Sequence, residues 1–390
     1  MLFFDHINGG PPLPGTLLAM HPWLGRAANP QADHAYGRHA HTALEESRAQ
    51  VAALLNARTA EILFGASGTE LCNLAIKGYA KANRRRGRHL VLSAVEHTAV
   101  DRSARRLEDD GYQLTRVPVE REGRVNPAAV AGAVTDDTAL VCLQLAAPET
   151  GAVQPVAETA RLLQGTRTVL MVDAVAAAGR IPIDVRELGC DLLVISADSL
   201  WAPPGAAALF VRQGVRVQPE IDGGIQEGGR RGGRENLPAV IALGAAAGIC
   251  QEQLAARAAY LASLEARLRD AVADLPMIHP TGPVPGPHRL PGHFSFLVDG
   301  AEGQSLLALL DAAGVAASSG SYCGARAMKA SPVLSAMGYP PQLAGSGVVF
   351  SLGPENTPEE VDEGAKRLRE CIFQSQKALS SPSGTPQPPG

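Results

Sequence analysis

Phe64-Gly65-Ala66-Ser67-Gly68-Thr69-Glu70 joins the end of an apolar run, Ile62-Leu63-Phe64, to the start of an amphipathic stretch. Small residues followed by Thr69 at a strand-to-helix turn leave backbone N–H groups and a hydroxyl at a helix N-terminus, a natural place for a phosphate. Taken alone, the same letters also begin an ordinary capped helix. Working outward, short runs rich in Val, Leu and Ile predict strands near 61–66, 89–94, 112–118, 138–146, 167–173, 191–196 and 206–212. Helical spacing falls between them, over 69–83, 97–109 and 156–164. Strand-helix alternation of this kind predicts an α/β domain with a mainly parallel seven-stranded sheet. Asp173, at the end of one such run, sits where open α/β sheets bind ligands.

The chain has 390 residues, long enough for two domains. An Ala/Leu/Arg-rich stretch, 236–274, reads as helices leaving the α/β domain, and the Pro-rich 280–291 as a connector. Strands at 293–298 and 348–352 with helices around 303–313 and 357–378 predict a smaller α+β domain. Thr357-Pro358-Glu359-Glu360 starts its last helix well, with Thr as cap and Pro first. The expected division is an N-terminal segment 1–13 packing on the small domain, a large domain 14–247, a small domain 248–375 and a disordered tail 376–390. A net charge of −4 argues against a general nucleic-acid or anionic-membrane binder, and no apolar run reads as a membrane span. Arg84-Arg85-Arg86 reads as a solvated helix end rather than an RNA site. Six scattered cysteines without a CxxC pair, and no signal peptide, suit reduced thiols in the cytoplasm. The histidines at 34, 39 and 41 lack a second ligand group, so no metal site is expected.

Five stretches, in order, resemble the cysteine desulfurase family of class V aminotransferase-like proteins. Gly68-Thr69 lies in what looks like the family's phosphate-cradling turn. Glu96-His97-Thr98 resembles the segment whose histidine stacks on the cofactor ring, and Val172-Asp173-Ala174 the strand end whose aspartate pairs with the pyridine nitrogen. Gly223-Gly224-Ile225-Gln226-Glu227 through Gly233-Arg234-Glu235-Asn236 resembles the glycine-rich loop that reaches the neighbouring subunit's site. Ser318-Ser319-Gly320-Ser321-Tyr322-Cys323 resembles the loop with the sulfur-accepting cysteine. The resemblance implies the fold type I of pyridoxal-phosphate (PLP) dependent transferases, a large α/β domain plus a small α+β domain, and a homodimer. Taken separately, His97 reads more readily as a surface or satisfied core histidine than as a ring-stacking one, and Asp173 equally as a structural carboxylate.

The chain also departs from that pattern. Where the family has Ser-x-His-Lys, it reads Ser196-Ala197-Asp198-Ser199, so Ser199 stands at the position of the Schiff-base lysine and Asp198 at the histidine. A hydroxyl cannot form an imine. None of the five lysines (77, 81, 329, 366 and 377) falls in the sheet-end loops, although Lys329 lies six residues after Cys323. Ala147-Pro148 replaces the asparagines, and Ala176 the glutamine, that contact the cofactor's ring hydroxyl. Val349 stands for the arginine that clamps the substrate carboxylate, and Arg234 for a phosphate-binding threonine. Thr69, His97, Asp173, Ser196 and Cys323 remain.

The expectation is therefore a cysteine desulfurase-like protein unable to run ordinary PLP catalysis, acting in sulfur transfer or iron–sulfur assembly. Two alternatives stay open. One is an enzyme using noncovalent PLP or another anionic ligand held between Thr69 and Arg234. The other is a structural subunit paired with an active desulfurase or a sulfur-acceptor scaffold protein.

Overall fold

The computed structural model describes residues 1–26, 29–320 and 330–380. A short strand, β1 (Leu2–Phe3), precedes the helices Pro14–Leu24 and Ala35–Leu54. The central sheet is built from β2 (Ile62–Gly65), β3 (His89–Ser93), β4 (Gln113–Val117), β5 (Thr138–Gln144), β6 (Val169–Asp173), β7 (Leu192–Ser196) and β8 (Ala207–Val211). Its order is β2-β8-β7-β6-β5-β3-β4. β8 runs antiparallel to both its neighbours, and the other pairs are parallel. All seven expected strands are present, within one to two residues at each end.

Six of the seven strands, all but β4, are buried along their whole length, which is why they read as continuous apolar runs. Side-chain alternation still sorts them. Val141 and Leu143 join Leu44, Val51 and Leu243 on one face, while Leu140 and Cys142 join Leu71, Ile76 and Val100 on the other. Parallel strands thus end together at one edge of the sheet, where Gln144, Asp173 and Ser196 are the last residues of β5, β6 and β7.

The second region pairs β9 (Ile278–Pro280), β10 (His293–Val298) and β12 (Gly347–Ser351) in the antiparallel order β12-β10-β9. β11 (Val315–Ala316) pairs in parallel with β1. Phe4, Phe294, Phe296 and Phe350 share its core with residues of the helices Gly303–Ala312 and Pro358–Ser380. β9 lies at the edge of the stretch read as a connector, and three residues carry too weak a period to announce themselves.

Two expectations change. The last helix runs to Ser380, so 376–380 are helical rather than part of a disordered tail. Good helix formers there extend a turn already anchored by buried Ile372 and Ser375. Residues 381–390 lie outside the described residues. The stretch 236–274 forms a single helix, Leu237–Asp270, which by length and composition alone is long and apolar enough to cross a membrane. Its buried residues include Val240, Leu243, Ala247 and Leu261, and it packs against Pro14–Leu24 and Ala35–Leu54, the contacts of a core helix.

Candidate active site

The turn after β2 is capped by Ser67, whose Oγ accepts the N–H of Glu70 at 3.2 Å, so the helix begins at Gly68. Glu70 answers by accepting the N–H of Ala66 at 3.1 Å and holding Arg231 of the glycine-rich loop at 2.9 Å. Gly68 allows a close approach: a Cβ there would lie 3.0 Å from Val175 and 3.7 Å from the Ser196 Cβ. The helix continues through a π-helical turn, Leu74–Gly78, into Tyr79–Ala82.

This turn forms one wall of a cavity of about 180 Å³ at the strand ends. Gly68, Thr69, His97, Asp173, Ser196 and Ser199 all line it, so six of the expected site residues meet. Arg234 is not among its lining residues in this chain, and Cys323 lies outside the described residues. Pro148, Ala176 and Asp198 also lie on the wall. Val349 is buried on β12 opposite Ser295, its backbone N–H donated to Ser318 at 2.7 Å, and it does not line the cavity.

The polar groups are mostly committed within the chain. His97 caps the helix Thr98–Arg106, its Nδ1 accepting the Ala99 N–H at 3.2 Å, which assigns the ring proton to Nε2. Asp173 Oδ1 accepts the Val175 N–H at 3.0 Å. Burial pushes its carboxyl above the usual range, against the opposing pull of His97. Ser196 donates its hydroxyl to Asp198, and Ser199 donates its own to the Ser196 carbonyl at 2.7 Å. The Ser199 hydroxyl is therefore turned back on its own loop. Cys72 also lines the cavity, but burial holds its thiol far above the thiolate range and leaves it inert.

Three buried side chains escaped the sequence reading. Gln144, which lines the cavity, donates its amide N–H to Val95 O at 2.6 Å, while its buried Oε1 has no partner among the described residues. Its signal was present: it is the one polar residue in the run Ala139–Ala147. Glu96 accepts from Ser93 and from the Gln144 N–H, and burial raises its carboxyl to about 8. Glu149 is raised to about 7, again by burial. Polar residues next to motifs give no sign of such displacement in sequence alone.

Comparison with known proteins accords with this geometry. The family model "Aminotransferase class-V" matches residues 16–363. Cysteine desulfurase IscS 1 of Archaeoglobus fulgidus is 37% identical over 363 residues, covering 93% of this chain and 94% of its own. Cysteine desulfurase IscS of Anaeromyxobacter dehalogenans is 38% identical, covering 95% of this chain and 93% of its own. Among solved structures, a NifS-like protein superposes with a TM-score of 0.89 at 29% identity, over 96% of this chain and 99% of that one. These define a protein of the PLP-dependent transferase fold type I. Within that class, the chain belongs to the cysteine desulfurase family.

PLP is the cofactor this family implies, and the residues here do not fit it. Among the described residues no lysine lines the cavity, and the Ser199 hydroxyl cannot replace an amine. The Asp198 carboxylate, one hydrogen bond from Ser196 beside the Gly68 turn, adds negative charge where a phosphate would sit. Pro148 and Ala176 present no donor to a ring oxygen.

Proposed function

We propose that this chain is a cysteine desulfurase-like protein that has given up lysine-dependent PLP catalysis and acts in the cytoplasm in sulfur transfer or iron–sulfur assembly. It works as a homodimer, with Arg234 and the glycine-rich loop directed to the neighbouring subunit and Cys323 as the thiol that carries sulfur. The observation that supports this reading above the others is Ser199 in the cavity, its hydroxyl spent on Ser196 O at 2.7 Å. Asp198 weighs against the alternative of a bound phosphate ester, because like charges in one small cavity repel. A role as structural subunit beside an active desulfurase stays the second reading, and co-purification of a lysine-bearing homologue would favour it.

The test is borohydride reduction in the presence of excess PLP, followed by peptide mapping. The expected result is no site-specific pyridoxyl-lysine. A stoichiometric adduct on Lys329 or any other lysine overturns the reading. Mass spectrometry of the native protein, in parallel, reads a persulfide on Cys323 directly.

A further inference from the structure

We infer that the cleft between the helix Thr98–Arg106 and the second region binds a small dicarboxylic acid, its carboxylates held by the arginines that line it. This goes beyond the reading above and stands apart from it, because nothing in the cleft calls on an imine or on Cys323. The cleft measures about 350 Å³ and shares His97, Gln144 and Pro148 with the cavity at the strand ends. That size is at the lower end of clefts that enclose one small molecule. On the helix, Ala99, Val100, Ser103 and Ala104 are buried. Thr98, Asp101, Arg102 and Arg105 fall three and four positions apart, so they share another face, and all four line the cleft. Arg116, from β4, joins them.

The charges on this wall do not balance. One oxygen of Asp101 takes Arg116 at 2.7 Å and the other takes Arg105 at 2.9 Å, so both are occupied. Arg102 is exposed and forms no ion pair among the described residues. Three guanidiniums therefore meet one ionised carboxylate, a surplus of two positive charges. The other acids on the wall, Glu96 and Glu149, are buried, and burial raises them to about 8 and about 7. At about pH 6.5 both are mostly protonated and add little negative charge. Arg102 and Arg105 stand one turn apart, with about 5–6 Å between Cβ atoms, a gap that a chain of about four or five carbons spans between two carboxylates. Each guanidinium offers the planar fork that a carboxylate matches. Exposed Pro332 and half-buried Val333, at the start of the short helix Pro332–Ala336, give the carbon chain an apolar surface. Inorganic phosphate carries the charge without a body for that surface.

The experiment is calorimetry on the full chain at about pH 6.5 and low salt, because exposed charges are screened. Glutarate is compared with its monoamide, which keeps the length and loses one charge, and with inorganic phosphate. We expect glutarate to bind at millimolar concentration and about threefold to fivefold more tightly than the monoamide, the yield of one solvent-exposed charge pair. Phosphate should bind more weakly than glutarate. Arg102→Gln should lower glutarate to about the affinity of the monoamide, and Arg102→Lys should fall between, keeping the charge without the fork. Arg85→Gln removes an exposed arginine outside the cleft and should change nothing, which separates a local site from general attraction to surface arginines. Equal binding of glutarate and monoamide, tighter phosphate, indifference to Arg102→Gln, or no glutarate binding at millimolar concentration each overturns the inference. None of these ligands bears on a lysine. Failure of the dicarboxylate site therefore leaves the lysine-free reading standing, and a pyridoxyl-lysine adduct would sink that reading whatever glutarate does.

Discussion

On the proposed reading, Ser199 takes the place of the Schiff-base lysine, and restoring a lysine there should not by itself restore turnover. Ser199→Lys supplies an imine-forming amine and a proton-transfer base. It leaves Pro148 and Ala176 without donors, Asp198 beside the phosphate turn, and no arginine for a substrate carboxylate. Loss of one charge-assisted contact costs about 1.5–3 kcal/mol, roughly tenfold to a hundredfold in rate. We therefore expect Ser199→Lys to release sulfide from cysteine at about a hundredth or less of the rate of an active relative assayed beside it. Val349→Arg added to it will help little. The Val349 side chain is 1% exposed, and a Cβ on Gly320 would lie only 2.9 Å from its Cγ2, so a guanidinium there lacks a path to the cavity. A single mutant working at the relative's rate would mean that the pocket is intact apart from one residue.

Among the elements, the glycine-rich loop is held by one buried ion pair. Arg48, on the helix Ala35–Leu54, grips Glu227 through two bonds of 2.7 and 2.9 Å. Glu227 also accepts the Phe64 N–H at 3.0 Å and takes a left-handed φ of 50° to do so. Glu227→Gln leaves the Arg48 cation buried without its counter-charge and is expected to cost about 3–5 kcal/mol in denaturant unfolding. The double variant Arg48→Met with Glu227→Leu should recover much of that, since an apolar pair replaces two desolvated charges. A double variant as unstable as the single one would show that the hydrogen bond to Phe64, rather than the charge, carries the effect. Neither residue was legible as a pair in the sequence, because 179 positions separate them. Six of the seven strands were legible because burial on both faces writes them as unbroken apolar runs, whereas β4, half-exposed at the sheet edge, alternates instead. The cavity wall was partly so. Motif order found Thr69, His97, Asp173, Ser196 and Ser199, whereas Gln144 and Ile7 reach the site only through folding.

For the whole molecule, four displaced groups shape stability against pH. Burial lowers His6 and His293 to about 3, each also pressed by a neighbouring arginine, while it raises Glu96 to about 8 and Glu149 to about 7. From about pH 4.5 to 6.5 the unfolded chain holds two extra protons on the histidines, and the folded chain two on the glutamates. Their slopes cancel, so these groups predict a plateau. Above pH 6.5 only the glutamates act: the folded state holds more protons, and stability falls as pH rises through 7 and 8, by roughly 3 kcal/mol. Below 4.5 only the histidines act, and stability falls as they are protonated on unfolding. Thermal melts across pH 4–9 should show this shape. In Glu96→Gln the alkaline fall should shrink and the plateau tilt upward with pH; an unaltered profile in that variant would remove Glu96 as its source.

The position of Ile7 also bears on when the protein becomes complete. Its backbone N–H is held by Ser351 Oγ, 344 residues further on, and β1 waits for Val315 and Ala316. The seven-stranded sheet, closed by Val211, needs none of these partners. At ribosomal speeds of about 5–20 residues per second, the interval between making Ile7 and making its anchor is on the order of 20–70 s. Through that time the cavity lacks one apolar wall while its carboxylates already stand at the strand ends, open to water. A ligand that needs the closed pocket is therefore met only by the finished chain, and a nascent one stalled short of Ser351 would display the sheet without the site.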